Sequence, residues 1–556
     1  MEIYIIGTAL VIVFLAVQFF IAERSAKKSL LMKIKNSFGK VPDREYSYEE
    51  FESITHYYRN RPVSKNTVDD ITWNDLDMDQ IFMQMNDTYS SAGEEYLYYM
   101  LRNPAGSKDI LLEREKLISY FAGHAEERER VQMVYGQIGR KKGLSISDYI
   151  SRLKDVRREN NLNHYIIWIM LIMAAAVFCA SAALGMVAFI GVMAFAVVRY
   201  YRRKGEVEHY FICFRIINNI ISNIGALKKC NLEILKPYIE EMDNAAKELR
   251  NIKKGVGILP NDNLGGSLAD LVLDYVRILT HVDLIRFNNM LEVFIKKEDK
   301  LNIILDNTGM MEAMIAVASF RKSLGYYTLP DFCNEKRFAV TGLYHPVLEK
   351  PVANSIAETG CVLITGSNAS GKSTFLRSAA INAILAQTIY TVAAKSYTAC
   401  FFRVMSSMAL KDNLLGNESY YIVEIKSLKR IIDAADGSFP VLCFVDEVLR
   451  GTNTVERIAA SSQILKCLAG SNAICFAATH DIELTHILEG LYENYHFQEE
   501  VIENDIVFDY RLYKGRAASR NAIKLLDIMG YDSTVTDAAE KSAAYFLKEG
   551  KWQNIV

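Results

Sequence analysis

The sequence has no pair of cysteines at CxxC spacing and no histidine-cysteine cluster at metal-ligand spacing, so it carries neither a zinc-ribbon pattern nor a dithiol redox motif. Its nine cysteines are scattered. Cys179, Cys443 and Cys475 sit inside apolar runs, the ordinary place for a small buried thiol, and a reducing, cytosolic setting for the main body follows. An excess of one charge is missing as well, since 64 Lys and Arg against 66 Asp and Glu give a net charge of −2. That balance exerts no global pull toward nucleic acid, although a local basic groove stays open. What is present is a chain of 556 residues, 50% hydrophobic and 23% charged. Such a chain folds, is too long for one core, and is expected to hold roughly three or four domains.

Residues Ile3 to Ala22 are apolar except for Thr8 and Gln18. A helix of about 20 residues is roughly 30 Å long, which matches the hydrocarbon core of a bilayer. A cleaved signal peptide is the alternative, but no basic segment precedes the run, and Arg24, Lys27, Lys28, Lys33 and Lys35 follow it. The basic flank puts the N-terminus outside and the remainder in the cytoplasm. A second apolar run, Tyr165 to Val198, is interrupted by small residues from Ala180 to Gly185. Arg152, Lys154, Arg157 and Arg158 precede it and Arg199, Arg202, Arg203 and Lys204 follow it. Both ends are therefore expected in the cytoplasm, as a hairpin with arms of about 15 residues each. A re-entrant or tilted shallow hairpin and a buried soluble hairpin are the competing readings.

Between these runs, Gly93 to Pro104 reads as a helix with Leu97, Met100 and Leu101 on one face. Further on, Phe211 to Leu227, Leu232 to Arg250, Ser267 to Phe294 and Leu301 to Leu324 are periodic helical segments, separated by a loop from Gly255 to Gly266.

The stretch Gly366, Ser367, Asn368, Ala369, Ser370, Gly371, Lys372, Ser373, Thr374 fits the phosphate-binding pattern G-x-x-x-x-G-K-[ST]. Cys361 to Thr365 before it reads as a buried strand and Phe375 to Thr388 after it as a helix. In that order the loop N–H groups wrap phosphates, Lys372 reaches the β- and γ-oxygens, and the Ser373 hydroxyl binds Mg²⁺. ATP or GTP is the expected ligand.

A second apolar strand, Phe439 onward, ends in Asp446 and Glu447. Beside a phosphate loop, Asp446 is the expected outer ligand of Mg²⁺ and Glu447 the base that orients or deprotonates water. The strand Ala473 to Thr479 ends at His480, an imidazole placed to contact a γ-phosphate.

These residues resemble the MutS-type ATPases, a family in the same broad group as the transporter ATPases. Thr365 to Thr374 is similar to its T-G-P-N-M-G-G-K-S-T, Asp446 to Thr454 to its D-E-x-x-R-G-T-S-T, and Ala478-Thr479-His480 to its A-T-H. Asp412, Leu414, Ser419, Val423 and Glu424 match the loop D-D-L-A-S-G-R-S-T-F-M-V-E. His345 to Leu348 resembles its H-P-V-L, and Asn354 to Ile356 its N-D-I. More weakly, Gly93 to Pro104 with Ile110 to Tyr120, and Glu312 to Pro330, are similar to the helical core of the family. The resemblance implies a homodimer with two composite ATP sites in which Ser419 of one subunit reaches the nucleotide of the other. The chain departs from the family at Gly416, Asn417 and Glu418, and at Asn453 where the family has Ser.

The fold implied is an α/β P-loop NTPase (ABC/MutS-like) C-terminal domain plus an all-α core and lever region with transmembrane helices. The expected divisions are a membrane anchor at 1–23, a helical core segment at 43–150, a transmembrane hairpin at 164–200, a core and lever segment at 205–328, the ATPase at 329–514 and C-terminal dimerisation helices at 515–556. The mismatch wedge Phe-x-Glu of the family is missing and no nuclease-like C-terminal extension is expected. The apolar hairpin falls where family members carry the levers that close around DNA, so mismatch repair is not the expected task. The leading expectation is a multi-pass cell-membrane ATPase, with ATP and Mg²⁺ as cofactors, a cytoplasmic ATPase domain and a membrane or cytosolic protein partner. A membrane-tethered DNA clamp is the alternative. A transporter is a third, disfavoured by the scarcity of polar residues in the apolar runs.

Overall fold

The computed structural model describes residues 2–249, 268–367, 369–408, 420–450, 452–502, 505–517, 523, 526 and 529–554. In chain order the first helices are α1 (Glu2–Ser37), α2 (Tyr48–Arg59), α3 (Asp70–Asp75), α4 (Met78–Met85), α5 (Ser91–Arg102), α6 (Lys108–Gly123), α7 (Ala125–Ile138) and α8 (Ile146–Arg152). They are followed by α9 (Leu162–Ala180), α10 (Ala182–Lys229), α11 (Lys236–Glu248), α12 (Leu268–Thr280), α13 (Val282–Lys296) and α14 (Glu298–Ser323). The chain divides into two compact units. The helical unit is Met1–Val63, Met83–Met100 and Glu115–Ser323, and the α/β unit is Ser64–Phe82, Leu101–Arg114 and Leu324–Val556. The expected segment 43–150 is thus shared between the two, because Val68 N–H bonds the Arg102 carbonyl at 2.9 Å and Ala105 N–H bonds the Gln387 carbonyl at 2.7 Å.

In the helical unit, α1 carries the first apolar run and continues through the basic residues to Ser37, with Phe14, Val17, Phe20 and Ile21 exposed. The hairpin breaks where small residues predict it. Ser181 is extended, at φ −152° and ψ 110°, between α9 and α10. Gly185 then lets the arms close, since a Cβ there would lie 2.2 Å from the Phe178 Cα. The arms exceed expectation. Helix α9 has 19 residues, and the second arm is the start of a 48-residue helix, α10, that runs on without a boundary at residues 200–205. Arg202, Arg203 and Lys204 there are good helix formers, and lone Gly205 does not stop a helix.

Among the described residues, α9, α10 and α14 are long and apolar enough to cross a membrane. In the most apolar window of α9 and of α10 only 17% is buried, whereas in α14 it is 78%. Helix α14 is therefore a core helix of the unit. Its Glu312 accepts the backbone N–H and the hydroxyl of Ser90 and the N–H of Tyr89, which closes the N-terminal end of α5. Burial pushes the Glu312 carboxyl up to about 8. The segment expected as one helix from Ser267 to Phe294 is two, broken at His281, whose φ is +53°. The predicted loop at 255–266 lies outside the described residues.

The α/β unit is built on β1 (Asp331–Phe332), β2 (Phe338–Leu343), β3 (Asn354–Glu358), β4 (Cys361–Thr365), β5 (Ser396–Ala399), β6 (Arg403–Ser407), β7 (Val441–Asp446), β8 (Ala473–Thr479), β9 (Tyr492–Ile502) and β10 (Asp505–Lys514). Its helices are α15 (Lys372–Ile389), α16 (Tyr420–Ala435), α17 (Thr454–Ala469), α18 (Ile482–Ile487) and α19 (Ser533–Glu549). Six strands form the main sheet in the order β10-β9-β4-β8-β7-β6, parallel except for β10, and four form a smaller sheet, β1-β5-β2-β3. The inner strands β4, β7 and β8 are buried at every position, as expected of a parallel sheet covered on both faces. On one face Val441, Cys443, Val445, Cys475 and Ala477 pack with Leu428 and Ile431 of α16 and Leu465 and Leu468 of α17. Strand β7 begins at Val441 rather than at Phe439, since Pro440 has no N–H to give a ladder. Helix α15 begins three residues before the expected Phe375 and is buried along most of its length.

Candidate functional site

Three neighbouring parallel strands deliver the chemistry to one edge of the sheet. Register pairs Thr365 of β4 with Thr479 of β8, and Asp446 of β7 with Ala478 of β8. The phosphate loop, the Asp446-Glu447 pair and His480 therefore leave the sheet side by side at its carboxyl ends, the usual crevice of open α/β sheets. Together with Tyr510, the loop, Lys372, Ser373, Asp446 and Glu447 line a cavity of about 470 Å³.

The loop is shaped around this cavity. Gly371 caps α15 at φ +109°, and a Cβ there would meet the Tyr510 ring at 3.3 Å. Ala369 takes a left-handed φ of +65°, a conformation that costs a residue with a Cβ energy and that concentrates at functional turns. Lys372 is buried and donates to the carbonyls of Gly366 at 2.8 Å and Ser367 at 2.7 Å. Burial lowers its pKa, opposed by the charges of Asp446 and Glu447. The Ser370 hydroxyl is 1% exposed and has no hydrogen-bond partner among the described residues. Ser367 donates to Glu499 at 2.8 Å, which ties the loop to β9. Thr374 lines the cavity. Asn368 and Ser419 lie outside the described residues.

Ser373 Oγ donates to Asp446 Oδ2 at 2.5 Å, so the two expected metal ligands already converge. Among the described residues no group of three His, Cys, Asp or Glu could hold a metal ion by itself. One hydroxyl and one carboxylate suit Mg²⁺, which keeps water and phosphate oxygens in its shell rather than entering a protein cage.

Glu447 is gripped from both sides. His480 Nε2 lies 2.5 Å from its Oε1 and Arg450 Nε 2.5 Å from its Oε2. The hydrogen bond from His480, aided by the Arg450 charge, lowers the Glu447 pKa against the opposing effect of burial. Its backbone is left-handed at φ +57°, as is that of Leu449 at +61°. The turn is held by Glu447 N–H on the Ala478 carbonyl at 3.0 Å and by Leu449 N–H on buried Glu424 at 2.5 Å. Arg457 makes a two-point pair with Asp481, at 2.9 and 2.6 Å, beside His480. Asn453 caps α17 by accepting from Glu456 N–H at 3.0 Å, so its exchange for Ser keeps the cap.

Sequence reasoning missed Tyr510. It sits where the β9-β10 register shifts between Phe508 and Leu512, at φ +55°. Asn354 fixes this bulge, donating to the Tyr510 carbonyl at 3.0 Å and accepting from Leu512 N–H at 2.8 Å. Tyr510, Gly371 and Thr374 also line a second cavity of about 170 Å³, with His345, Pro351 and Val352. Burial pushes the His345 imidazole down to about 4, with Arg377 adding to the effect. Both motifs ahead of the loop, His345 to Leu348 and Asn354 to Ile356, thus surround the apolar cavity or pin its aromatic wall.

Residues 362–546 match the family model described as MutS domain V. The chain is also 32% identical over 215 residues to the DNA mismatch repair protein MutS of Natronomonas pharaonis, an alignment covering 36% of this chain and 25% of the relative. The human MutS protein homolog 4 is 31% identical over 255 residues, covering 42% and 27% of the two chains. The DNA mismatch repair protein MutS of Streptococcus uberis is 27% identical over 268 residues, covering 45% and 31%. These likenesses support the MutS family, with an α/β domain V and a helical N-terminal region. The chain matches about a quarter of the length of the first two relatives.

Proposed function

We propose that the α/β unit binds ATP with Mg²⁺ and hydrolyses it in the manner of a MutS-type ATPase. The observation that carries this reading is the meeting of the phosphate loop, Asp446 and Glu447 around one cavity, and the MutS domain V likeness supports it. Lys372 would exchange its two loop carbonyls for phosphate oxygens, and Tyr510 would cover the nucleobase in the apolar cavity. Ser373 and Asp446 would hold Mg²⁺. Bound there, the ion supplies charge neutralisation on the β- and γ-phosphate oxygens. Glu447, kept ionised, would orient a water and take its proton, with His480 at the γ-phosphate side. On the resemblance, Ser419 of a second copy would complete the site across a homodimer.

We further propose that α1 and the α9-α10 hairpin anchor the protein as a multi-pass cell-membrane ATPase with the α/β unit in the cytoplasm, and that hydrolysis moves the helices joined to it. The exposed apolar surfaces of α9 and α10 support this.

The test of the enzyme is ATP turnover by the full chain in nanodiscs. Glu447→Gln is expected to bind ATP and to lose turnover by about 10² or more. Retained turnover removes Glu447 as the base. A second reading, a membrane-tethered DNA clamp, is favoured by the names of the relatives, which include DNA mismatch repair proteins. Salt-sensitive retention of duplex DNA on a filter supports it, and no retention even at low salt eliminates it.

A further inference from the structure

Strand β6 is the last strand of the six-stranded sheet, so backbone groups on its outer side have no ladder partner. Side chains from elsewhere take them. Thr72 Oγ1 accepts Ser406 N–H at 3.1 Å, and Asp75 Oδ2 accepts Met408 N–H at 2.9 Å and the Ser406 hydroxyl at 2.7 Å. Arg430 of α16 donates to the Ser406 carbonyl at 2.5 Å and is paired with Asp69, the N-cap of α3. Just past α3, Asp77 adopts φ +50° and its carboxylate accepts from Arg377 at 3.0 Å. Three carboxylates from one short stretch of the N-terminal half therefore grip the sheet edge, α16 and α15. Asp75 is the buried one, at 2% exposure.

Two of the residues held this way, Met408 and Arg377, line the phosphate cavity. Strand β6 pairs with β7 through Ser406 with Phe444 and Ser407 with Val445, the rungs just before Asp446 and Glu447. Fixing the end of β6 fixes the strand end that carries both carboxylates. The phosphate loop hangs instead on β4 and α15, and β4 is separated from β7 by β8.

We propose that Asp75 is a positioning residue for nucleotide hydrolysis, holding the end of β6 so that β7 presents Asp446 and Glu447 in register with the phosphate loop. The inference rests on the ATPase reading. Because Asp75 acts on the carboxylates and not on the loop, its loss falls on turnover rather than on nucleotide affinity, and small misplacements of a catalytic group are costly in rate. The experiment uses the full chain in nanodiscs and compares Asp75→Asn and the milder Ser406→Ala with the unaltered protein. The readouts are kcat, KM, the Kd of a fluorescent ATP analogue, and Tm. Asp75→Asn is expected to lower kcat about tenfold or more while KM and Kd stay within about twofold, and Ser406→Ala to move in the same direction by less. An unchanged kcat overturns the proposal, as does a loss in which KM or Kd worsens in step with kcat. If Asp75→Asn has no cooperative melt, the same split in Ser406→Ala decides. Absence of turnover in the unaltered protein removes the ATPase reading itself, whereas turnover with an unsplit Asp75→Asn removes only the role of Asp75.

Discussion

Glu447 meets an imidazole on one oxygen and a guanidinium on the other, and these partners decide the pH at which it can act. Its folded pKa lies below the ordinary glutamate value of about 4.3. The carboxylate therefore stays charged above that lowered value, and in the proposed mechanism it would be lost as a base only when the pH falls through it. The hydrogen bond from His480 is the largest lowering influence. In His480→Asn the acid limb of kcat/KM should move upward, read from turnover between about pH 4 and 9. An unmoved limb would detach His480 from the state of Glu447. Lys372, Ser373, Asp446, Glu447 and His480 were legible because each stands at the end of an apolar strand or in a fixed-spacing loop, and the pattern survives without tertiary knowledge. Tyr510 and Asp75 were not. The first is delivered by a bulge that shifts the β9-β10 register, and the second reaches Ser406 across 331 sequence positions.

At the scale of elements, strands β4 and β8 were legible to the residue, because a buried parallel strand is an uninterrupted apolar run bounded by turns. The α9-α10 hairpin was legible at its break and not in its length, since periodicity marks helices but basic residues that end a membrane span do not end a helix. The hairpin supplies its own probe. Cys179 is an exposed thiol two residues before the Ser181 break, and 19 helical residues from Leu162 rise about 28 Å, close to a full hydrocarbon core. If the hairpin spans, a membrane-impermeant maleimide applied outside intact cells should label Cys179 while sparing exposed Cys467, and Cys179→Ser should abolish the label. Labelling only after lysis would favour the shallow or the soluble hairpin.

For the whole molecule, the exposed apolar residues near the C-terminus bear on assembly. Val535, Tyr545 and Phe546 of α19 are exposed, and Trp552 stacks on Phe546 with ring centroids 4.3 Å apart. In the proposed dimer these surfaces would be covered. Mass photometry in nanodiscs should find two copies per particle, and Val535→Glu with Tyr545→Glu should shift the population to single copies and depress ATP turnover. Full turnover from single copies would dismiss a composite site. The predicted dimerisation region includes Leu525 and Ile528, which lie outside the described residues. The division into two units was less legible than the site, because residues 64–82 and 101–114 join the α/β unit through contacts made hundreds of positions away.

The buried helix α14 has a consequence for how the chain is made. Its most apolar window has a mean hydropathy of 1.3, enough to qualify as a membrane span, yet in the folded unit that surface is largely covered. Insertion machinery reads segments as they emerge, by hydropathy and flanking charge. If the protein is inserted into a membrane as proposed, α14 would be a decoy for that machinery during synthesis, and Glu312 near its middle, together with docking against the N-terminal helices, would keep it on the aqueous side. On the proposed membrane reading, correct topology would depend on the order in which the parts leave the ribosome as much as on any single span.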